Sequence, residues 1–325
     1  AELIRIKGTV LQFAGDAPAA LATLLAAADR HPTAPLLLDL AGMRLREGNS
    51  AGTLALTRQV LAAVPGFKPA LEIEAQAHLV GGDPREGARI AEALYAEDPE
   101  SQYVLLILTT AWRMLGDPRG EALTDPARFV RTHRIPAPAG WPSREAFLDE
   151  LSRVVRALHG LQAHPFQQSL RGGSQTQGLL ISEEPVIKAF FHELDGLIAN
   201  HIAWLGEGDD PVRARISGGF RIKAAWSVLL RSNGFHVNHF HPEGWLSSAF
   251  YIETPAGAVD AGDHQGWLKF GEPGIPTVPA LKAQHHVRPE PGLLALFPSY
   301  VWHGTVPFDS PGETRMSIAF DVVPT

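Results

Sequence analysis

Turn signals recur in the first third of the sequence with a period close to 34 residues. Each signal is Gly followed by Asp or Asn, and the spacings are 33, 34 and 34 residues, between Gly15, Gly48, Gly82 and Gly116. Prolines repeat with almost the same period, at Pro32, Pro65 and Pro99. The residues between these marks are apolar at helical spacing. The pattern therefore predicts pairs of helices, in which Gly ends one helix and Asp or Asn caps the next.

A helix–turn–helix unit of this length resembles the tetratricopeptide repeat. The repeats lack most of the consensus aromatic residues, so the resemblance concerns architecture alone. Stacked repeats leave a concave face that usually holds a peptide or a partner protein. The resemblance implies a tetratricopeptide-like domain over residues 1–130. Its face could receive a polypeptide substrate, form a homodimer or serve as a packing platform for a second domain.

The composition changes after the repeats. A proline-rich stretch at 134–143 predicts a linker over residues 131–150. From about Ala214 onward, β-branched and aromatic segments alternate with Gly and Pro turns, which is typical of a sandwich or barrel. We therefore predict an α+β protein whose second domain covers residues 151–325 and begins with flanking helices.

Charge and composition exclude several classes of partner. The chain has 28 basic and 35 acidic residues, a net charge of −7, so neither nucleic acid nor an anionic membrane is expected as a partner. The longest apolar run, around Tyr103–Trp112, is half a membrane span. The absence of cysteine excludes disulfides and thiolate metal sites. Together with the lack of a signal-peptide pattern, this predicts a cytoplasmic location.

Three histidines lie close together at the start of the β-rich region, at His236, His239 and His241. Residues two apart in a strand point to the same side. His239 and His241 are therefore predicted to project together, as two ligands of one metal ion can. His236 is predicted to face the opposite way, as a structural or outer histidine.

The rest of such a site is predicted from a later segment, residues 291–321. An apolar strand ends at His303, a turn follows, and a return strand begins near Arg315. A hairpin folded about Asp309 would place His303 opposite Arg315, with Ser317 on the same face as Arg315. A guanidinium beside a metal ion can bind the far carboxylate of an acidic chelator through paired hydrogen bonds.

The series "HVNHFHPEGWLSSAFYI", "GWLKFGEP", "PGLLALFPSYVWHGTVPF" and "RMSIAFDVVP" resembles the iron(II)- and 2-oxoglutarate-dependent oxygenases. Within that superfamily it is similar to bacterial proteins that join tetratricopeptide repeats to such a domain. The resemblance implies a double-stranded β-helix, or jelly roll, with Fe(II), 2-oxoglutarate and O₂ as cofactor and cosubstrates. It implies metal ligands at His239, His241 and His303, and a cosubstrate site at Arg315 and Ser317. The implied reaction is hydroxylation of a C–H bond with release of succinate and CO₂, the substrate being a peptide or protein.

One position departs from the superfamily pattern, because His241 stands where Asp or Glu is usual. Glu243 is an alternative third ligand. The departure leaves two other functions open. One is a three-histidine metal dioxygenase that does not use 2-oxoglutarate, in which Arg315 holds a substrate carboxylate. The other is a non-catalytic adaptor built from repeats and a jelly roll.

A polar, glycine-rich stretch at 164–180 is predicted to be a loop between helices. It is either a solvated loop or, through Arg171 and neighbouring Gln, Ser and Thr residues, one rim of the substrate mouth.

Overall fold

The computed structural model describes residues 2–160, 168–260 and 262–325. The chain divides into two compact units. The first comprises Ala1–Leu123 together with Pro273–Lys282, and the second comprises Thr124–Glu272 together with Ala283–Thr325. An α-helical repeat region is thus followed by an antiparallel sheet domain, as the sequence predicted.

The first unit is built from consecutive antiparallel helices joined by short turns. They are α1 (Glu2–Phe13), α2 (Ala17–Ala28), α3 (Ala34–Arg46), α4 (Ser50–Ala63), α5 (Lys68–Val80), α6 (Pro84–Glu97), α7 (Gln102–Leu115) and α8 (Pro118–Thr124). The turn signals act as predicted. The four glycines have positive φ angles, and the side chains of Asp16, Asn49 and Asp83 accept hydrogen bonds from the first turns of α2, α4 and α6.

A ten-residue segment from far along the chain completes this helical unit. In Pro273–Lys282, the side chain of Ile275 is buried in the core formed by α5, α6 and α7. The backbone N–H of Val278 donates a 3.2 Å hydrogen bond to the carbonyl of Leu79, the penultimate residue of α5. Part of the repeat surface is therefore already covered by the protein's own chain.

Two antiparallel sheets form the second unit within the described residues. The strands are β1 (Arg131–Arg134), β2 (Leu170–Gln175), β3 (Phe220–His236), β4 (Leu246–Glu253), β5 (Leu268–Phe270), β6 (His285–Val287), β7 (Leu293–Pro298), β8 (His303–Thr305) and β9 (Arg315–Pro324). The larger sheet has the order β1-β7-β4-β9-β3-β2, and the smaller has the order β6-β5-β8. Residues of both sheets line one cavity, which is the arrangement of a jelly roll.

Helices flank the larger sheet. They are α9 (Pro126–Phe129), α10 (Arg144–Ala157), α11 (Pro185–Leu205) and α12 (Ala256–Val259), with single 3-10 turns at Leu179–Ile181 and Arg213–Arg215. The apolar stripe of α11 is fully buried, and Phe190 packs against Phe250 of β4 with ring centres 4.7 Å apart. The buried face of α10 includes Phe147 and Leu151.

Residues 131–150 do not form a linker. Arg131–Arg134 is strand β1, which pairs with Leu293–Leu296 of β7, and α10 begins at Arg144. The prolines at 136, 138 and 142 occupy the irregular connection between them, where no ladder hydrogen bond is needed. Proline content identified a break in regular structure, but the break lies inside the second unit.

The predicted hairpin between His303 and Arg315 is also wrong. The apolar strand β7 ends at Pro298, and His303 starts a separate strand, β8, which pairs with β5 in the smaller sheet. Arg315 starts β9, which pairs with β3 and β4 in the larger sheet. The two residues therefore face the same cavity from opposite sheets.

Acid is expected to destabilise the second unit because His201 on α11 is buried as the neutral imidazole. Burial lowers the pKa of His201 to about 3, whereas an unfolded histidine titrates near about 6.5. The unfolded chain thus binds the proton first, and the free energy of unfolding falls as the pH drops from about 6.5 towards about 3. At about pH 5 this single group should cost about 2 kcal/mol of stability.

Urea unfolding of the metal-free protein at neutral pH and at about pH 5 measures this loss. His201→Phe should reduce the pH-dependent loss by about 2 kcal/mol. An unchanged pH dependence in that variant would contradict the assignment to His201.

Across the described residues, no helix combines the length with the apolar character needed to cross a membrane.

Candidate metal centre

Three histidine rings meet at one point of the cavity between the sheets. Ligand nitrogens of His239, His241 and His303 all lie within 4.8 Å of one another. The backbone holds His239 and His303 together, since the N–H of each donates to the carbonyl of the other, at 2.8 and 2.9 Å. His241 is held by a 3.0 Å hydrogen bond from its own N–H to the carbonyl of Ser299. The structure thus brings together the three histidines that the sequence selected.

Hydrogen bonds at Nδ1 determine which nitrogen each ring presents. Nδ1 of His239 lies 2.8 Å from the carbonyl oxygen of Val237, and Nδ1 of His303 lies 2.9 Å from that of Val301. A carbonyl only accepts, so both rings carry their proton on Nδ1, and the unprotonated nitrogen of each ring is Nε2. Nδ1 of His241 is occupied in the same way, by a carboxylate oxygen of Asp321 at 2.6 Å.

Burial keeps these rings neutral. Burial lowers the pKa of His239 to about 3 and lowers the pKa of His303 well below its usual value, and nearby His241 adds to both shifts. Metal binding requires an unprotonated imidazole. These two ligands are therefore ready at neutral pH without losing a proton first.

The donor set fits a divalent transition metal ion. Imidazole suits iron, zinc, copper and nickel, and three nitrogens bound at about 2.1 Å to one ion lie roughly 3.0–3.4 Å apart. The ligand nitrogens, which lie within 4.8 Å of one another, would move closer together on binding the ion. In the described part of the chain, no other group of three histidine or acidic side chains has this geometry.

His236 does not point away from the site as predicted. Its ring lines the cavity and stacks on that of His239, with ring centres 5.6 Å apart. Regular β3 ends at His236, so the alternation of a strand does not continue to His239. The Ser169 hydroxyl joins the two rings, 2.9 Å from Nδ1 of His236 and 3.3 Å from Nε2 of His239.

Arg315 lies in the same cavity and is 2% exposed. Its Nε donates a 3.0 Å hydrogen bond to the carbonyl of Gly266, and its guanidinium lies 5.0 Å from the ring centre of Tyr251. Among the described residues, no carboxylate pairs with it. Burial lowers the pKa of Arg315. A buried guanidinium without an acidic partner is costly, and an anionic ligand in the cavity would offset that cost.

Alternate residues of β9 line the cavity, namely Arg315, Ser317, Ala319 and Asp321. Ser317 thus lies on the same face as Arg315, as predicted, although its role as a cosubstrate ligand remains a prediction. Asp321 was missed by sequence reasoning. The period-two spacing from Arg315 could have identified it, because residues six apart on a strand share a face.

The cavity has a volume of about 340 Å³, within the range of small-molecule sites. Apolar side chains, among them Trp226, Phe240 and Phe297, form much of its wall. The stretch 164–180 contributes Gln168, Ser169 and Gln175 to the lining, with 170–175 forming β2, while residues 164–167 lie outside the described chain. Arg171, the predicted rim residue, is exposed and donates to the carbonyls of Gln168 and Leu170.

Removing the Glu243 carboxylate is expected to leave metal affinity unchanged within about twofold, since surface ion pairs contribute little. The Glu243 side chain is 74% exposed and forms a 2.6 Å ion pair with Lys223. It does not belong to the group formed by His239, His241 and His303. His241→Ala should instead weaken binding by about 100-fold or more. Metal titration of both variants tests this, and a loss confined to Glu243→Ala would reverse the assignment of the third ligand.

Comparison with known proteins finds a family model that matches the part of the chain containing this site. Residues 224–321 match the family model described as "Putative 2OG-Fe(II) oxygenase", and this range contains the three histidines, Arg315, Ser317 and Asp321. The resemblance inferred from the sequence motifs is thereby confirmed. A search of curated proteins found no match.

Solved structures similar to the chain include two hydroxylases and one repeat protein. A Pseudomonas putida prolyl-4-hydroxylase is 16% identical over 62% of this chain and 96% of its own, with a TM-score of 0.41. The viral collagen prolyl hydroxylase of Paramecium bursaria chlorella virus-1 is 13% identical over 61% and 97%, with a TM-score of 0.40. A tetratricopeptide-repeat protein of Thermus thermophilus is 18% identical over 37% and 69%, with a TM-score of 0.34.

Proposed function

We propose, from the match of residues 224–321 to the 2-oxoglutarate–Fe(II) oxygenase family, that this protein is an Fe(II)- and 2-oxoglutarate-dependent hydroxylase. The observation that carries the proposal is a buried arginine that has no acidic partner among the described residues, in the cavity where three histidines meet. The three histidines, as a metal site, and Arg315, as a carboxylate site, therefore line the same cavity. This combination suits a 2-oxo dicarboxylate that chelates the ion through one end.

Each residue then has a definite task. The ion would be held through Nε2 of His239, His241 and His303. Arg315 binds the far carboxylate through the N–H groups that Gly266 does not use, and the hydroxyl of Ser317 is placed to assist. The apolar wall of Trp226, Phe240 and Phe297 limits the entry of water.

The bound Fe(II) supplies the oxidation chemistry of the reaction. One oxygen atom of O₂ enters a substrate C–H bond to give the alcohol, and the other oxidises 2-oxoglutarate to succinate and CO₂.

The reaction test starts with the protein loaded with Fe(II) under anaerobic conditions. Addition of 2-oxoglutarate should produce a metal-to-ligand absorption band, and admission of O₂ with substrate should yield succinate. The His303→Ala protein is the negative control and should give neither the band nor succinate. Bound iron with neither a band nor succinate would reject dependence on 2-oxoglutarate.

A second candidate is a three-histidine dioxygenase that does not use 2-oxoglutarate. It is favoured by one observation, that the ligand group contains no carboxylate. Arg315 would then bind an acidic substrate. Thermal unfolding of the iron-loaded protein with and without 2-oxoglutarate separates the two candidates, because only the first predicts stabilisation by that compound.

The substrate proposed here is a side chain of a peptide or protein. The helical repeat architecture supports this proposal, since stacked helical repeats commonly provide extended binding surfaces for polypeptides. Its test is to supply the full-length protein with isotope-labelled O₂ and either a peptide digest or the low-molecular-mass fraction of a cell extract. Label found only in the low-molecular-mass fraction would reject a polypeptide substrate.

A further inference from the structure

We infer that Asp321 is a positioning residue, which supplies through His241 the negative charge that a ligating carboxylate supplies in the usual two-histidine, one-carboxylate centre. The inference rests on the proposed metal site. It concerns a residue outside the set of direct ligands, and it accounts for the histidine at position 241.

The contacts of Asp321 are specific and buried. Oδ1 lies 2.6 Å from Nδ1 of His241 and accepts a 2.7 Å hydrogen bond from the hydroxyl of Ser247. The Ser247 hydroxyl also lies 2.8 Å from that of Ser299. Ser247 and Ser299 have no exposed surface, and Asp321 is 7% exposed. The carboxylate is therefore held towards the imidazole by its surroundings.

The pairing is specific to His241. Among the described residues, His241 is the only basic side chain that pairs with this carboxylate. A metal ion bound to Nε2 of His241 would add positive charge to the ring that the carboxylate contacts. The carboxylate thus lies one imidazole away from the position where the ligating carboxylate of the usual centre would be.

This arrangement has two chemical consequences. A carboxylate that accepts the Nδ1 proton orients the ring, fixes its tautomer and makes Nε2 a stronger donor. The negative charge also offsets part of the charge of the ion, which three neutral imidazoles alone would not do. A carboxylate ligand can bind through one or both oxygens, whereas the imidazole always occupies one coordination position.

The test measures metal affinity in the absence of turnover. Asp321→Asn keeps the size of the side chain and removes its charge. We expect the Kd for Fe(II), measured anaerobically by competition with a fluorescent chelator, to rise by about 10- to 100-fold. Asp209→Asn, at an exposed position, is the control and should leave the Kd unchanged. The Co(II) absorption spectrum should also change in Asp321→Asn, because the donor strength of His241 is altered.

A purely structural role for Asp321 predicts a different pattern. The metal-free Asp321→Asn protein would then unfold at lower temperature, while the folded fraction would bind metal with unchanged Kd and spectrum. That result would overturn the inference. Should Asp321→Asn not fold, Ser247→Ala removes one hydrogen bond to the carboxylate and should raise the Kd by a smaller factor. An unchanged Kd for Ser247→Ala would then count against the inference.

A double-mutant cycle makes the assignment specific to His241. In a His241→Asp background the third ligand carries its own charge, so adding Asp321→Asn should raise the Kd by less than about threefold. An equal penalty in both backgrounds would overturn the link between Asp321 and His241. Failure of the proposed function looks different, since the wild-type protein would then bind no divalent metal, or would bind it without responding to 2-oxoglutarate.

Discussion

Replacing His303 with alanine is expected to abolish tight binding of Fe(II). His303 is the buried member of the histidine group, and its Nδ1 is already committed to the carbonyl of Val301. Removal of a residue that only hydrogen-bonds a metal ligand typically lowers metal affinity by about 10- to 100-fold. Loss of one of three ligands should exceed that range, because the two remaining imidazoles do not hold ferrous iron well.

Anaerobic titration with Fe(II) and metal analysis after gel filtration measure this effect. His192→Ala, at an exposed position on α11, is the matched control and should bind like the wild type. The ring of His303 also packs 4.7 Å from that of Phe297, so the unfolding temperature of the metal-free variant must be recorded. A folded His303→Ala protein with wild-type affinity would refute the metal centre.

The second large effect is expected at Arg315. Arg315→Met should weaken binding of 2-oxoglutarate while leaving Fe(II) affinity close to that of the wild type. Truncating one partner of a buried, hydrogen-bonded charge pair costs about 2–5 kcal/mol, which is a factor of about 30 to several thousand in Kd. The absorption band of the anaerobic Fe(II) complex gives the Kd directly.

Two further variants show whether the loss comes from the guanidinium. Arg315→Lys keeps the charge but not the planar pair of donors, so an intermediate affinity is expected. Arg153→Ala, at an exposed position on α10, should have no effect. The metal-free Arg315→Met protein should be at least as stable as the wild type, because an apolar side chain replaces a buried charge. Unchanged affinity for 2-oxoglutarate in Arg315→Met would contradict the proposed cosubstrate site.

Local signals were sufficient for much of the architecture. The Gly-Asp and Gly-Asn signals predicted helix ends correctly, because a positive φ angle and an N-cap are properties of a few adjacent residues. His239 and His241 do project together as predicted, but not through the alternation of a strand, because β3 ends at His236 and His239 forms only an isolated bridge with His303. The motifs also predicted that His303 and Arg315 belong to one site, although the hairpin predicted between them is wrong.

The sequence by itself determined a helical repeat unit, a β-rich domain that resembles the 2-oxoglutarate–Fe(II) oxygenases, and a candidate set of three histidines and one arginine. Only the tertiary structure decided how they meet. The assignment of β8 and β9 to different sheets, the insertion of Ile275 into the helical core and the Asp321–His241 pair all join residues far apart in the chain. Such contacts depend on sheet order and burial, which arise from the packing of the whole domain. Local spacing can place Asp321 on the same face of β9 as Arg315, but its pairing with His241 depends on the sheet order and is seen only in the folded structure.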